Sequence, residues 1–474
     1  MRFRVLEAGR YEWDFTLRMP FRFGVITVRD GIQAVLHLRI RTEDGREGWG
    51  VAAETLAAKW FDKNPALSDA ENQHQLRRTL EIACGQALAA GENTAFGHFA
   101  DGYAAHVAAC AAEGLDPLVA SFGRALLDRA AFDALLRIAG LSFDAGLRVN
   151  LGAMASHALI PDLAGFDFGA MLAAVPAPTR IHARHTVGLV DPITAADQAE
   201  RVGDGLPETL EEVAATYRHG YWKLKVGGDI RADVDRLARI ASVLDRLHGY
   251  HATLDGNEQY GDEEGVLALW RAMRAEPRLA RLCRSVLFVE QPIRRAQALA
   301  TGIGALAAER PVIIDESDGP LDAFVTARGL GYAGVSSKAC KGMWRSLVNL
   351  ARCRAWGDGH FLSAEDLTTL AGACVQQDLA LVSALGLTHV ERNGHHFIDG
   401  FNGRPKAEAV RFMEAHPDLY ADTSRGPRLA IREGMLSIGS LATPGFGTSV
   451  MPDFGAMRAM EPAKAPPAPR AGGG

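Results

Sequence analysis

Five ionisable residues recur at nearly even intervals through the middle of the chain, each at the end of a short run rich in β-branched or aromatic residues. They are Lys225, Asp255, Glu290, Asp315 and Lys338, separated by 30, 35, 25 and 23 residues. Each interval is close to one strand–loop–helix–loop unit of a parallel barrel. Because the carboxyl ends of the strands in such a barrel meet at one rim, we expect these side chains to converge there.

Three of the five residues are carboxylates. A single acidic residue after a strand is more often solvated or salt-bridged in its own loop, but Asp255, Glu290 and Asp315 share the phase of the repeat. Converging carboxylates repel one another, and a divalent cation relieves that repulsion. All-oxygen ligands favour Mg²⁺, with Mn²⁺ as the alternative, over zinc. The spacing therefore predicts a magnesium site.

Lysines flank the carboxylates on both sides. Lys223 and Lys225 lie two residues apart on one predicted strand, so their side chains point to the same face. Lys338 ends the sixth predicted strand, on the opposite side of the barrel mouth. An ordinary lysine, with a pKa near ~10.4, is a weak base at neutral pH. We expect a neighbouring cation and partial burial to lower the pKa of such a lysine.

A metal ion and paired lysines together suit the removal of a proton from the carbon beside a substrate carboxylate. The charge that develops on the carboxylate oxygens, as an enediolate, is stabilised by a bound metal ion. Bases on both faces of that carbon favour a racemase or epimerase. They also permit cycloisomerisation or elimination of water (a dehydratase or other lyase). Two further classes stay open: a non-catalytic metal- and ligand-binding barrel, and an aldolase-type lysine that forms a Schiff base.

The elements that must position these residues alternate between short strands and amphipathic helices from about residue 180 onward. This alternation predicts an α/β fold with a parallel sheet, and eight strands suffice to close a (β/α)₈ TIM-type barrel. The first 140 residues differ, since strands over the first 60 precede Ala- and Leu-rich helices, which indicates an α+β unit with Gly140 ending one helix. The eight predicted barrel strands are residues 180–187, 221–226, 251–254, 286–289, 311–314, 332–336, 360–363 and 387–390.

This combination resembles the enolase superfamily, in the muconate-lactonizing-enzyme-like subgroup of the mandelate racemase/muconate lactonizing enzyme family. The resemblance covers most of residues 1–450. It rests on Lys223-Leu224-Lys225, Asp255, Glu290, Asp315 and Lys338, and on the segments 20–24, 43–50 and 444–447.

The resemblance implies a role for each of these residues and for some neighbours. Lys225 and Lys338 would serve as acid and base on opposite faces of the substrate, and Lys223 would stabilise the enediolate electrostatically. Asn257 and Glu316 would support the metal ligands. The expected substrate contacts are Phe21, Arg22 and Phe23 in a specificity loop and Glu391 on the last strand.

The resemblance also divides the chain into parts. It implies an α+β capping domain at residues 1–145, a connecting segment at 146–178 and the catalytic barrel at 179–396. A C-terminal segment at 397–452 would pack on the cap and complete it. The Pro/Ala/Gly-rich composition of residues 453–474 predicts a disordered tail.

Several features depart from the family pattern. The mandelate-racemase-like subgroup would need a histidine after the seventh strand, where this chain has Glu365, so that subgroup is the second choice. Lys341 stands where relatives often have glycine, and we expect it to narrow the pocket. The helical segment near residues 55–120 is additional, with an unknown role. We expect surface or core positions for His395 and His396 rather than metal binding, given the carboxylate triad.

The composition excludes some classes of protein. The chain of 474 residues has a formal net charge of −6 and no dense run of basic residues, so no nucleic-acid partner is expected. We expect no membrane span, because the sequence has no uncharged apolar stretch of sufficient length. Residues 1–7 lack the apolar core of a signal peptide. Six scattered cysteines fit a reducing compartment, and we expect a cytoplasmic enzyme acting on a small-molecule carboxylate. The resemblance further implies a homo-oligomer.

Overall fold

The computed structural model describes residues 1–24 and 26–463. The barrel has eight parallel strands, β4 to β11, in sequential order, and β11 pairs with β4 to close it. This confirms the predicted (β/α)₈ architecture, and each predicted strand overlaps an observed one. The barrel strands are β4 Arg180–Val187, β5 Tyr221–Lys225, β6 His251–Asp255, β7 Val286–Glu290, β8 Val312–Ile314, β9 Gly334–Ser337, β10 Phe361–Ala364 and β11 His389–Glu391.

The cap is built on an antiparallel sheet formed by the first three strands. These strands are β1 Phe3–Phe23, β2 Ile26–Thr42 and β3 Glu47–Thr55. Helix α4 (Pro117–Ala139) begins after the N-cap Asp116 and ends at Gly140, whose φ of 68° is in the left-handed region, as expected for a helix terminator. It crosses β3 so closely at Gly50 that a Cβ there would lie 2.1 Å from the Ala130 carbonyl oxygen.

The additional helical segment belongs to the cap and its junction with the barrel. Its helices are α1 Ala58–Phe61, α2 Asp69–Ala89 and α3 Ala95–Ala112, and α2 and α3 pack on α4. Helices α5 Phe143–Arg148 and α6 Phe168–Ala174 then lead into the barrel. The helices that alternate with the barrel strands are α7 Leu210–Tyr217, α8 Ile230–Leu244, α9 Glu263–Ala275, α10 Ala280–Ser285, α11 Arg295–Ala298, α12 Gly304–Glu309, α13 Ala323–Gly329, α14 Met343–Trp356 and α15 Ala373–Ala384.

The C-terminal segment contacts both the barrel and the cap. Its elements are α16 Gly394–Phe397, α17 Lys406–Ala415, β12 Tyr420–Ala421, β13 Arg428–Leu429, β14 Met435–Ser437 and β15 Arg458–Ala459. Strand β14 pairs with β4 of the barrel. The Phe446 ring lies 3.7 Å, between centroids, from Phe143, and the Phe446 amide donates to Asp133 of α4.

The predicted tail differs from the structure at its beginning. Residues 458–459 form β15, which pairs with β1 at the edge of the cap sheet, and Arg458 forms an ion pair with Asp14 at 2.8 Å. The strand pairing and the ion pair hold this segment in place, although its composition alone predicted disorder. Residues 464–474, the remainder of the predicted tail, lie outside the described residues. Among the described residues, none of the helices combines the length and apolar character that crossing a membrane requires.

Candidate active site at the barrel mouth

The strand register brings the predicted ionisable residues to one rim. Lys225 lies opposite Asp255 in the β5–β6 ladder, and Asp255 lies opposite Glu290 in the β6–β7 ladder. Asp315 directly follows β8, and Lys338 directly follows β9. The five side chains are all buried. The convergence expected from their spacing is therefore present at the carboxyl ends of five successive strands.

Lys223 lies at the centre of a ring of carboxylates. Its Nζ is 2.9 Å from Asp255, 2.8 Å from Glu290, 2.8 Å from Glu365 and 2.9 Å from Glu391. Burial lowers the pKa of Lys223, but the four carboxylates outweigh it and hold the pKa well above the ordinary value. The side chain is thus a permanent cation that neutralises the acidic residues of the barrel interior.

The two lysines predicted to move protons each contact one predicted metal ligand. Lys225 Nζ donates to Asp255 at 2.5 Å, and Lys338 Nζ donates to Asp315 at 2.7 Å. The Lys338 Nζ also lies 4.1 Å from the centroid of the Trp60 ring, which comes from the cap. Burial lowers the pKa of Lys338, but the charges of Asp315, Glu290 and Glu391 together outweigh burial and raise the pKa above the ordinary value. The expected lowering of the lysine pKa requires a cation beside Lys338 and stays a prediction.

The carboxylate set fits a divalent cation. Oε2 of Glu290 is buried and makes no hydrogen bond, although Lys223 Nζ lies 2.8 Å away. Burial raises the pKa of Glu290 well above the ordinary value, and the charges of Asp255 and Glu365 raise it further. A buried set of carboxylates that repel one another, offering oxygen donors alone, matches Mg²⁺ or Mn²⁺.

Two charged residues of the site were missed by sequence reasoning. Glu365 directly follows β10, and besides Lys223 it binds Arg184 of β4 inside the barrel. Arg184 also donates to the Ala364 carbonyl oxygen. The available signal for Glu365 was its position, since it ends the seventh strand in the same phase as the metal-ligand candidates. Nothing marked Arg184, because it lies in the middle of its strand.

A cavity of about 300 Å³ lies between the barrel mouth and the cap. The barrel side presents Lys223, Lys225, Asn257, Lys338 and Glu391. The cap side presents the apolar residues Phe15, Leu17, Phe21, Phe23, Leu56 and Trp60, together with the charged residues Arg29, Asp30, Lys59 and Asp69.

The predicted specificity loop contributes to this cavity only in part. Phe21 and Phe23 line it, whereas the side chain of Arg22 is exposed and is not among the lining residues. Successive side chains of a strand point to opposite faces, so two aromatic rings facing inward place the arginine between them outward. The structure therefore gives no support to Arg22 as a substrate contact.

Asn257 and Glu316 connect the carboxylates to the cap. The Asn257 backbone amide donates to Asp255 at 2.9 Å, and its side chain donates to Glu316 at 3.2 Å. Glu316 in turn accepts from Lys63 of the cap at 3.1 Å, and Lys63 also pairs with Glu258 at 2.6 Å. Lys341, expected to narrow the pocket, instead lies outside the cavity lining.

Strained backbone lies at this end of the barrel. Four residues there that are not glycine have positive φ: Asn257 at 39°, Glu258 at 70°, Gln291 at 31° and Thr368 at 54°. Such conformations cost ~1–3 kcal/mol each and persist where the surrounding structure holds them. Asn257 and Thr368 line the cavity, so the strain coincides with the candidate site.

Comparison with known proteins shows the fold. No family model and no curated protein matches this chain. A dipeptide epimerase from Enterococcus faecalis, complexed with Mg and the dipeptide L-Leu-L-Tyr, is 14% identical over 94% of this chain and 99% of its own, with a TM-score of 0.59. A mandelate racemase/muconate lactonizing protein from Herpetosiphon aurantiacus is 17% identical over 93% and 98%, with a TM-score of 0.59.

A third solved structure extends the range of activities among these neighbours. The 2-chloromuconate cycloisomerase from Rhodococcus opacus is 17% identical over 96% of this chain and 98% of its own, with a TM-score of 0.57. At these identities the likeness establishes a shared architecture. The chain has the fold of mandelate racemase/muconate lactonizing enzyme proteins over nearly its whole length, as the sequence resemblance predicted.

Proposed function

We propose that this protein is a metal-dependent racemase or epimerase that removes and returns a proton beside the carboxylate of a small substrate. One observation carries the proposal. Lys225 and Lys338 enter the same cavity from the second and sixth strands of the barrel, which lie on opposite sides of its mouth. Carboxylates from the three strands between β5 and β9 separate the two lysines.

Asp255, Glu290 and Asp315 would hold the cation, with Mg²⁺ preferred and Mn²⁺ as the alternative. When bound, a divalent cation supplies positive charge that stabilises a developing carboxylate dianion and neutralises the acidic residues beside the lysines. Asn257 and Glu316 orient this set through the hydrogen bonds that join Asp255 to Lys63 of the cap.

The two lysines would handle the proton. In a 1,1-proton transfer, one neutral lysine amine takes the proton from the substrate carbon, and the ammonium of the other delivers a proton to the opposite face. Each must first leave its carboxylate partner, Asp255 for Lys225 and Asp315 for Lys338. A positioned general base of this kind contributes about 10²–10⁴-fold to the rate.

The cavity indicates the class of substrate. Its cationic side can pair with a carboxylate, and its cap side, with Phe21, Phe23 and Trp60, can cover an apolar substituent. A carboxylate with an apolar side chain or an apolar N-substituent fits both surfaces. The dipeptide bound in the Enterococcus faecalis neighbour is a molecule of this class.

Hydrogen–deuterium exchange tests the proposal directly. The protein would be incubated with Mg²⁺ in deuterated buffer and a panel of dipeptides, N-acylamino acids, sugar acids and muconate-like diacids. Mass and proton NMR spectra would report exchange at the carbon beside the carboxylate. We expect exchange with at least one apolar carboxylate, and loss of at least about 100-fold in epimerisation in Lys225→Gln and in Lys338→Gln.

Lys406→Gln supplies the matched control, because Lys406 is exposed on α17, far along the chain from the barrel strands. Exchange that survives in one lysine variant, with a new product, would replace the racemase by a one-base lyase or cycloisomerase. Tight Mg²⁺ binding without exchange of any panel member would favour a non-catalytic barrel. Absence of Mg²⁺ and Mn²⁺ binding would contradict the assignment of the carboxylates.

A further inference from the structure

A cluster of buried histidines lies outside the candidate active site. His185 is on β4, His219 is in the loop between α7 and β5, and His395 is in α16. One ring nitrogen of each lies within 4.8 Å of those of the other two. The ring of His396 is beside them, with its centroid 5.0 Å from that of His185. Three segments distant in sequence thus bring imidazoles to one point.

Five ring nitrogens of this cluster lack a hydrogen-bond partner in the described residues. Within the part of the chain that the structure describes, no hydrogen bond reaches Nδ1 of His185, Nε2 of His219, Nδ1 of His396 or either ring nitrogen of His395. Buried polar atoms are nearly always hydrogen-bonded, and an unpaired one is destabilising. Phenylalanine or leucine would fill the same volume without that cost. Packing therefore does not account for imidazoles at these positions.

His219 has the arrangement of a metal ligand. Its Nδ1 lies 2.9 Å from the carbonyl oxygen of Ala183. Because a carbonyl oxygen only accepts, Nδ1 carries the proton, and the lone pair of the ring is on Nε2. That nitrogen is the unpartnered one. Metal-bound histidines commonly donate the other ring N–H to a carbonyl or carboxylate, which fixes both the tautomer and the ring orientation.

Burial favours the neutral form of these histidines, which is the form that has a lone pair for a metal ion. Burial lowers the pKa of His219 to about 4 and that of His396 to about 3. Burial, with the neighbouring histidines, lowers the pKa of His185 and of His395 well below the ordinary value. Protons therefore do not compete with a metal ion for these nitrogens at neutral pH.

We propose that His185, His219 and His395 form a second metal site, selective for Zn²⁺ and similar transition-metal ions. Imidazole nitrogens favour Zn²⁺, Co²⁺, Ni²⁺ and Cu²⁺, whereas the all-oxygen set at the barrel mouth favours Mg²⁺. Zn–N bonds of ~2.0–2.1 Å require the three rings to close inward from their present separation. His396 is the nearest candidate for the fourth ligand. This site is independent of the proposed reaction.

The position of the cluster indicates a structural role. β11 pairs with β4 where the barrel closes, and Glu391 of β11 lies opposite Arg184, next to His185. His395 follows β11 by four residues, so one ion bound to both would join the first and last strands across the closing seam. We expect such a cross-link to stabilise the barrel against unfolding and to leave the proton-transfer residues unchanged.

Metal titration of the full chain tests this inference. Chelator-stripped protein in a large excess of Mg²⁺, which fills the carboxylate site, would be titrated with Zn²⁺ and with Co²⁺. We expect one ion per chain, the visible spectrum of Co²⁺ bound by nitrogen ligands, and a rise in Tm. His219→Gln and His395→Gln should weaken binding by at least about 100-fold. X-ray absorption at the Zn edge of the wild-type protein would report imidazole ligands without relying on any variant.

His416→Gln is the matched control, because His416 is equally buried and its Nε2 is also unpartnered, but it lies in the C-terminal segment outside the cluster. It should bind Zn²⁺ as the wild-type protein does. Failure of the Mg²⁺-loaded wild-type chain to bind Zn²⁺ or Co²⁺ would overturn the proposal. So would Zn²⁺ bound by oxygen ligands alone, or full affinity in folded His395→Gln.

Discussion

At the scale of single residues, the barrel interior holds charges that are paired across strands. Arg184 binds Glu365, and Lys223 binds four carboxylates, with both cations almost fully buried. Removing one partner of a buried ion pair typically costs ~3–5 kcal/mol, because the other charge is left uncompensated. The first and last strands are thus joined by electrostatics to the rim that carries the candidate site, and we expect substitutions here to lower stability.

The buried histidines give a prediction about stability and pH. The pKa of His219 falls from 6.5 to about 4 on folding because of burial. Below pH 6.5 the unfolded chain therefore binds more protons at His219 than the folded chain does. The contribution of His219 to the free energy of unfolding is complete above pH 6.5 and is lost as the pH falls towards about 4. The slope is about 1.4 kcal/mol per pH unit for one histidine.

The measurement is urea unfolding of chelator-stripped protein at about pH 7.5 and about pH 5.5. Between these two pH values we expect the free energy of unfolding to fall by about 1.4 kcal/mol more in the wild-type protein than in His219→Gln. Comparing the two proteins cancels the titration of all other groups. His248→Gln, at an exposed position, is the control and should behave like the wild type. Equal pH slopes in wild type and His219→Gln would show that His219 titrates normally in the folded chain.

At the scale of elements, the strands and their terminal residues were predictable, and the contacts made by the cap were not. Each barrel strand is a short β-branched run in a regular repeat, so its end, and with it Asp255 or Lys338, could be read from spacing. Trp60 carries no such signal. It reaches Lys338 only because α1 folds over the mouth, a placement that depends on contacts between residues far apart in the chain. Glu365 had the correct phase, but its partner Arg184 became visible only in three dimensions.

Arg295 joins helix α1 to the barrel. Arg295 of α11 donates to the carbonyl oxygens of Phe61 at 2.7 Å and Trp60 at 3.1 Å, and pairs with Glu258 at 2.8 Å. A helix of four residues has little stability of its own, so its position depends on such contacts. We expect Arg295→Met to loosen α1 and to raise KM about tenfold, about 1.4 kcal/mol.

Hydrogen exchange provides the structural readout for Arg295→Met. Amides of residues 58–67 should exchange faster in the variant, since local opening would need less free energy, while those of the barrel strands should not change. Arg294→Met is the control, because the neighbouring Arg294 side chain is exposed. Unchanged exchange over residues 58–67 would mean that α1 is held by its apolar contacts instead. The expected change in KM depends on the proposed function, whereas the expected change in hydrogen exchange does not.

At the scale of the whole molecule, the site exists only where the two domains meet. The barrel supplies every charged group proposed for the chemistry, and the cap supplies the apolar wall and Lys63. The chain ends strengthen the cap, since β15 pairs with β1 and Arg458 binds Asp14 and Glu12. A ligand in the cavity therefore contacts elements from both domains, and its binding should stabilise the molecule as a unit.

Binding of Mg²⁺ should accordingly raise global stability. A ligand that binds only the folded chain adds RT ln(1 + [L]/Kd), about 2.7 kcal/mol at about one hundred times Kd. Asp255, Glu290 and Asp315 lie on or next to three different strands, so the unfolded chain cannot present them together. We expect the free energy of unfolding of the wild type to be higher by this amount with Mg²⁺ than with EDTA.

Glu290→Gln should remove the increase, because it replaces the carboxylate whose oxygen has no hydrogen bond. Glu264→Gln, at an exposed position on α9, should retain it. An increase that persists in Glu290→Gln would place the bound Mg²⁺ outside the carboxylate triad.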